Sequence, residues 1–154
     1  VSPVWQKSNF TLAYIALRYK CRLVTRQDYR RLATFRYELR KFLRFSELAA
    51  GDNGLTPQQY QAMLAIEGFP ERNQITIGEL AEQMQIAAHS SVGLVNRLEK
   101  AGLIERQSSD EDRRCVLVRL TKNGRERLKR LASVHRQELE RVGPLLVALL
   151  SPEK

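Results

Sequence analysis

Apolar residues return at helical spacing through most of this chain and at strand spacing in one place. From Arg26, Leu32, Phe35, Leu39, Phe42 and Ser46 recur at steps of three and four and Ala49 closes the series. Arg30, Arg31, Arg36, Arg40 and Lys41 lie elsewhere around the same helix. Gly51-Asp52-Asn53-Gly54 ends it. Thr56-Pro57-Gln58-Gln59 predicts the next helix: Thr56 caps it, Pro57 suits its first position and Gln59 completes a capping box. It continues through Gln61 to Ile66 and stops at Gly68-Phe69-Pro70. Thr76-Ile77-Gly78-Glu79 is a second capping box, opening a short helix through Leu80, Ala81 and Met84.

After a connection at Gln85 to Ala88, a longer amphipathic helix is predicted from about Ala88 to Ala101. Ser91, Leu94, Val95 and Leu98 fall at i, i+3, i+4 and i+7 on its inner face, and Gly102 is a natural stop. The other face carries His89, Ser90, Gly93, Asn96, Arg97 and Lys100, with no carboxylate among them. Leu103-Ile104-Glu105-Arg106 resumes in extended form. Val116, Val118 and Leu120 then alternate as one buried row of a return strand, so the charged stretch between reads as a hairpin tip. A last helix runs from a cap at Thr121 through Leu128, Leu131, His135, Leu139 and Val142, and Gly143-Pro144 should kink or break it. The apolar tail Leu145 to Leu150 needs a partner surface, because water contact costs roughly 25 cal/mol per Å² of apolar area.

The chain has 154 residues, enough for one domain with a core of its own. Its formal net charge of +9 points toward a polyanion, either nucleic acid or an anionic membrane surface. Cys21 and Cys115 lack the number and spacing of a zinc site and read as reduced thiols of a cytoplasmic protein, with a disulfide between them left open. Residues 1–25 read as an extension or leader, or as an arm packed on a partner subunit. Phe10 to Leu17 is too short to span a bilayer, and the basic residues that follow it reverse the order of a secretory signal.

Two short helices, the second polar outward, followed by a two-stranded hairpin describe a winged helix-turn-helix. The fold class expected is mainly α with a small β-hairpin wing. The element order and the stretch 94–124 resemble the MarR family of bacterial transcriptional regulators. The resemblance is carried by Gly102-Leu103-Ile104, Asp112-Arg113-Arg114 and Leu120-Thr121-Lys122-Asn123-Gly124, and it covers about residues 26–150. It implies an N-terminal dimerisation helix over 26–54, a winged helix-turn-helix over 55–121 and C-terminal dimerisation helices over 122–154.

What the resemblance implies fits the physics of the residues. Arg113 and Arg114 at the wing would enter a narrow minor groove, where negative potential is concentrated, and Asp112 would orient an arginine. Ala88, His89, Ser90 and Gly93 would face bases in the major groove, and Asn96 and Arg97 would reach bases or phosphates. Gly93 departs from the family pattern, which tends to place arginine there. The partners expected are double-stranded DNA and a second copy in a homodimer reading a pseudo-palindromic operator, as a repressor. A small aromatic or phenolic anion would release the DNA from a pocket lined by Phe35, Arg40, Phe42, Tyr60 and Met63; core packing accounts for the same residues.

Catalysis finds no support. The chain has no P-loop, HExxH or GxSxG, and its two histidines, His89 and His135, have no ligand spacing, so no metal, cofactor or enzymatic activity is expected. The competing reading is a basic helical adaptor for a protein or an anionic membrane, with the winged domain as scaffold. Arginines at a wing tip and a helix face free of carboxylates favour DNA over a membrane partner.

Overall fold

A computed structural model describes residues 24–70, 72–108 and 116–150. Among these residues five helices and three strands follow in order: α1 Arg26–Asp52, α2 Pro57–Glu67, β1 Gln74–Thr76, α3 Ile77–Met84, α4 Ala88–Lys100, β2 Ile104–Ser108, β3 Val116–Leu120 and α5 Lys122–Leu150. The winged helix-turn-helix expected from the pattern is present, with α3 and α4 packed together and β2 paired with β3. Residues 1–23, the wing residues Asp112, Arg113 and Arg114, and both cysteines lie outside the described residues.

Capping decides where the helices begin. Thr56 and Thr76 accept hydrogen bonds from the backbone N–H groups of Gln59 and Glu79, whose side chains reach back to the cap N–H, as the sequence predicts. Thr25 and Asp28 form a third such box at the head of α1, where the sequence reading placed only a start at Arg26. At the other end of α1, Asn53 Nδ2 donates to Ala49 O at 2.8 Å, and Gly54 takes φ of +66°.

The sheet has three strands in the order β1-β3-β2, all antiparallel. β1 was not expected, since three residues are too few to show a period. Ile75 sits opposite Val118, and Ile104 opposite Leu120, so these four close one side of the core. The predicted row is corrected at its outer end: Val116 is exposed while Leu117 is buried. Val116 pairs with Ser108 at the edge of the wing, beyond the core that α2, α3 and α4 cover.

Three further expectations are corrected along the long helices. The stripe of α1 divides: Phe35, Phe42, Ser46 and Ala49 are partly covered, while Leu32 and Leu39 stand 56% and 38% exposed. On α5, Leu128, Leu131, His135 and Val142 are buried, but Leu139 faces out. Nor does Gly143-Pro144 break α5, which runs on to Leu150. Proline costs this helix one backbone hydrogen bond, and burial of the preceding turn at Val142 holds the segment in place.

Where α5 crosses the other helices, His135 is 5% exposed. Its Nδ1 lies 2.8 Å from Leu131 O and its Nε2 2.8 Å from Ser46 Oγ on α1. Phe42 and Phe45 meet the imidazole edge-on, at centroid distances of 6.2 and 5.4 Å, and Tyr60 of α2 lies 4.5 Å away. This cluster joins the long helices to the winged domain.

Candidate nucleic-acid interface

The inner face of α4 behaves as predicted. Ser91, Leu94, Val95 and Leu98 are buried, and Ser91 Oγ donates to Ile77 O at 3.1 Å, pinning α4 to the first turn of α3. That anchoring fixes what remains outside: Ala88, His89, Ser90, Asn96, Arg97 and Lys100 are exposed, and Gly93 is half-exposed between them. All the predicted α4 residues therefore share one accessible helix surface.

The start of α4 differs from the starts of α1, α2 and α3. Its N-cap is Ala87, with no side-chain hydrogen bond, and its first turn holds no acidic residue. No side chain covers the positive end of the helix there, which makes it a favourable place for a phosphate. Arg97 and Lys100 in the last turn add charge of the same sign and suit the helix dipole there. At Gly93 a side chain would approach Arg97 Nη1 at 3.5 Å, so the missing arginine at this position leaves room beside the guanidinium of Arg97.

Asn96 is less free than the sequence suggests. Arg106 on β2 donates from Nη2 to Asn96 Oδ1 at 2.5 Å, and its Nη1 pairs with Glu99. Glu99, half-buried at the margin of this face, is thereby neutralised. Sequence reasoning missed Arg106, because its role depends on a strand lying across a helix seven to ten positions away. Arg119 and Glu105 pair across the hairpin at 2.7 Å. Behind α3, Arg72 pairs with Glu79 at 2.5 Å and covers the Phe69 ring at 5.0 Å.

Of the residues expected to line an effector pocket, Phe42 and Tyr60 meet around His135. Tyr60 and Met63 are in the core, at 3% and 0% exposure, Phe35 and Phe42 are half-buried on α1, and Arg40 is exposed. Burial pushes the Tyr60 hydroxyl up to about 12. A groove of about 460 Å³ lies between α2 and α5, walled by Leu64, Gly68, Leu128 and Ala132 with Arg125 and Lys129 beside them. Glu67 Oε2 is buried there without a hydrogen-bond partner. Among the described residues no group of three or more His, Cys, Asp or Glu could hold a metal, and no helix is long and apolar enough to cross a membrane.

Residues 53–114 match the MarR family model. An uncharacterized HTH-type transcriptional regulator of Bacillus subtilis, YfiV, is 36% identical over 80 residues, which are 52% of this chain and 48% of that protein. The chain spans about half the length of the curated relatives it matches. In fold, AbsC, a MarR family transcriptional regulator from Streptomyces coelicolor, superposes with a TM-score of 0.66 at 23% identity, over 85% of this chain and 86% of that one. A mutant of MepR from Staphylococcus aureus, solved bound to an oligodeoxyribonucleotide, superposes with a TM-score of 0.59 at 19% identity, over 77% of this chain and 83% of the other. Residues 53–114 thus belong to the MarR family by sequence, and the fold over most of the chain is that of the MarR-family winged helix-turn-helix structures.

Proposed function

We propose that this chain is a double-stranded-DNA-binding transcriptional regulator, a repressor acting as a homodimer on a pseudo-palindromic operator. The observation that carries the reading is the exposed face of α4: an uncapped N-terminus, His89, Ser90, Arg97 and Lys100 in the open, and the helix's own carboxylate, Glu99, held by Arg106. A face of this kind offers donors to base edges and phosphates, and its α4 carboxylate is held in an ion pair. Arg113 and Arg114 would extend it into the adjacent minor groove, with Asp112 orienting them.

The exposed apolar residues of the long helices support a dimer. Leu32 and Leu39 of α1 and Leu139, Leu145 and Val147 of α5 are open to water, and two-fold pairing would bury them. For effector control, the groove between α2 and α5 suits an aromatic acid carrying a hydroxyl. Its apolar walls would take the ring, its hydroxyl would donate to Glu67 Oε2, and its carboxylate would meet Lys129 or Arg125.

Affinity for duplex DNA enriched from a random library, measured against salt, tests the reading. Counterion release gives a steep negative slope of log affinity on log salt if several cations meet phosphates, and a flat slope rejects the proposal.

A further inference from the structure

Among the described residues, α4 has one large apolar side chain standing in the open: Val92, 42% exposed. It sits one turn after Ala88 and one turn before Asn96, midway along the exposed face of the helix and on the side that Glu99 borders. Neither water nor helix formation favours valine at that place. Its methyl groups cost free energy when solvated, and a β-branched side chain is a weaker helix former than the straight-chain residues that usually occupy an exposed position.

If this face enters a major groove, as the proposed function holds, few features of the base edges suit a valine. Three of the four bases present hydrogen-bonding groups alone, and thymine adds the C5 methyl. Asn96, one turn on, accepts from Arg106 through its Oδ1, so its amide is held by the protein and reads bases beside Val92, not in its place. A cytosine at the same step would press its N4 amino donor against an aliphatic surface that cannot accept it.

We infer that Val92, with Ala88 beside it, reads a thymine methyl group in each half-site and so sets base preference at that position. This rests on the DNA-binding function proposed above. The test starts from duplexes enriched from a random library by the full chain. In the best of them each dT is replaced in turn by dU, which removes the methyl and nothing else. One dT per half-site should then respond, dU weakening binding about fourfold, the equivalent of roughly one methyl group returned to water. V92A should bind the dT and dU duplexes within a factor of two of each other, with an unchanged circular dichroism spectrum and melting temperature. Val92→Thr, which keeps one methyl, should fall between. Indifference of the unaltered chain to dU at every position, or an equal dU penalty in V92A, overturns the contact while leaving DNA binding standing. Failure to enrich any duplex overturns the DNA-binding reading and this inference with it.

Discussion

His135 Nε2 lies 2.8 Å from Ser46 Oγ, and the contact ties together two helices whose residues are 89 positions apart in the chain. The other ring nitrogen faces Leu131 O, which can only accept, so Nδ1 carries a hydrogen, and in the neutral ring Nε2 accepts from the serine hydroxyl. Both polar atoms of a buried ring are thereby satisfied inside an aromatic cage. Ser46→Ala should orphan Nε2 and cost about 1–2 kcal/mol in denaturant unfolding. His135→Ala, which also opens a cavity against Phe42, Phe45 and Tyr60, should cost about 3 kcal/mol or more. Equal stability of Ser46→Ala and the parent would show that the bond contributes nothing.

Gly124 is required for space and not for backbone freedom. A Cβ there would overlap Leu103 O, with Leu103 C at 3.0 Å, and both obstacles are backbone. Thr121 holds this approach tight: its N–H donates to Leu103 O at 3.0 Å, its hydroxyl to Gly102 O at 2.8 Å, and Gly124 N–H returns to that hydroxyl at 3.0 Å. Gly124→Ala should lower stability by about 3 kcal/mol, the upper end for overpacking, and thermal melts should show it. Gly102→Ala meets no atom but must hold φ of +67°, so a smaller loss of about 1 kcal/mol is expected. A reversed order of the two would contradict this account.

The pattern of residues made most of the winged domain legible, because the physics there is local. Thr56, Thr76 and Gly102 act within one turn of themselves, and the buried row of α4 is a single period. The Leu-Thr-x-x-Gly motif was visible, but its reason was not, since the overlap at Gly124 involves a backbone carbonyl some twenty residues earlier. Misreadings came where one element has two faces or a neighbour from far along the chain. Leu32 and Leu39 share a period with Phe35 and Phe42, yet only the second pair is partly covered, and Glu38, buried beside Lys41, takes an inward place that the pattern gives to apolar residues. Asn96 looked free because nothing in the sequence shows Arg106 lying across it.

Alkaline pH should weaken the fold through Tyr60. Burial raises its hydroxyl from the ordinary value of 10.0 to about 12. Between these two values the unfolded chain has lost the proton and the folded chain still holds it, so the folded state binds more protons and stability falls as pH rises. The contribution is fully present below pH 10 and is lost as pH approaches about 12, at about 1.4 kcal/mol per pH unit for one group. Tyr60→Phe should have a shallower decline over that window than the parent, and parallel declines would refute the assignment.

Arg106 should matter to DNA affinity without touching DNA. Removing it by Arg106→Ala releases Glu99 at the edge of the α4 face and frees Asn96 Oδ1, placing a carboxylate near phosphates. Affinity at low salt should drop by a factor on the order of ten, within the coupling seen between contacting charged residues, and Glu99→Gln in the same chain should restore most of it. If Glu99→Gln brings no recovery, Arg106 acts on DNA directly and the bridging account fails.

The exposed leucines of α1 give the sharpest test of the proposed dimer. Leu32 and Leu39 are seven residues apart, two turns on one side of the helix, and each would bury apolar area worth about 2 kcal/mol if covered. Glutamate at both places would instead set like charges against their two-fold mates, while the face of α1 that packs on α5 is left untouched. The double variant should sediment as a monomer with an unchanged helical spectrum. Its DNA binding should weaken by at least a hundredfold, because one α4 reads only a few base pairs and the two copies are no longer held at the 34–36 Å that separates half-sites. A variant that remains dimeric would move the interface away from these leucines; a monomer that binds the enriched duplex as tightly as the parent would show that pairing is not part of recognition.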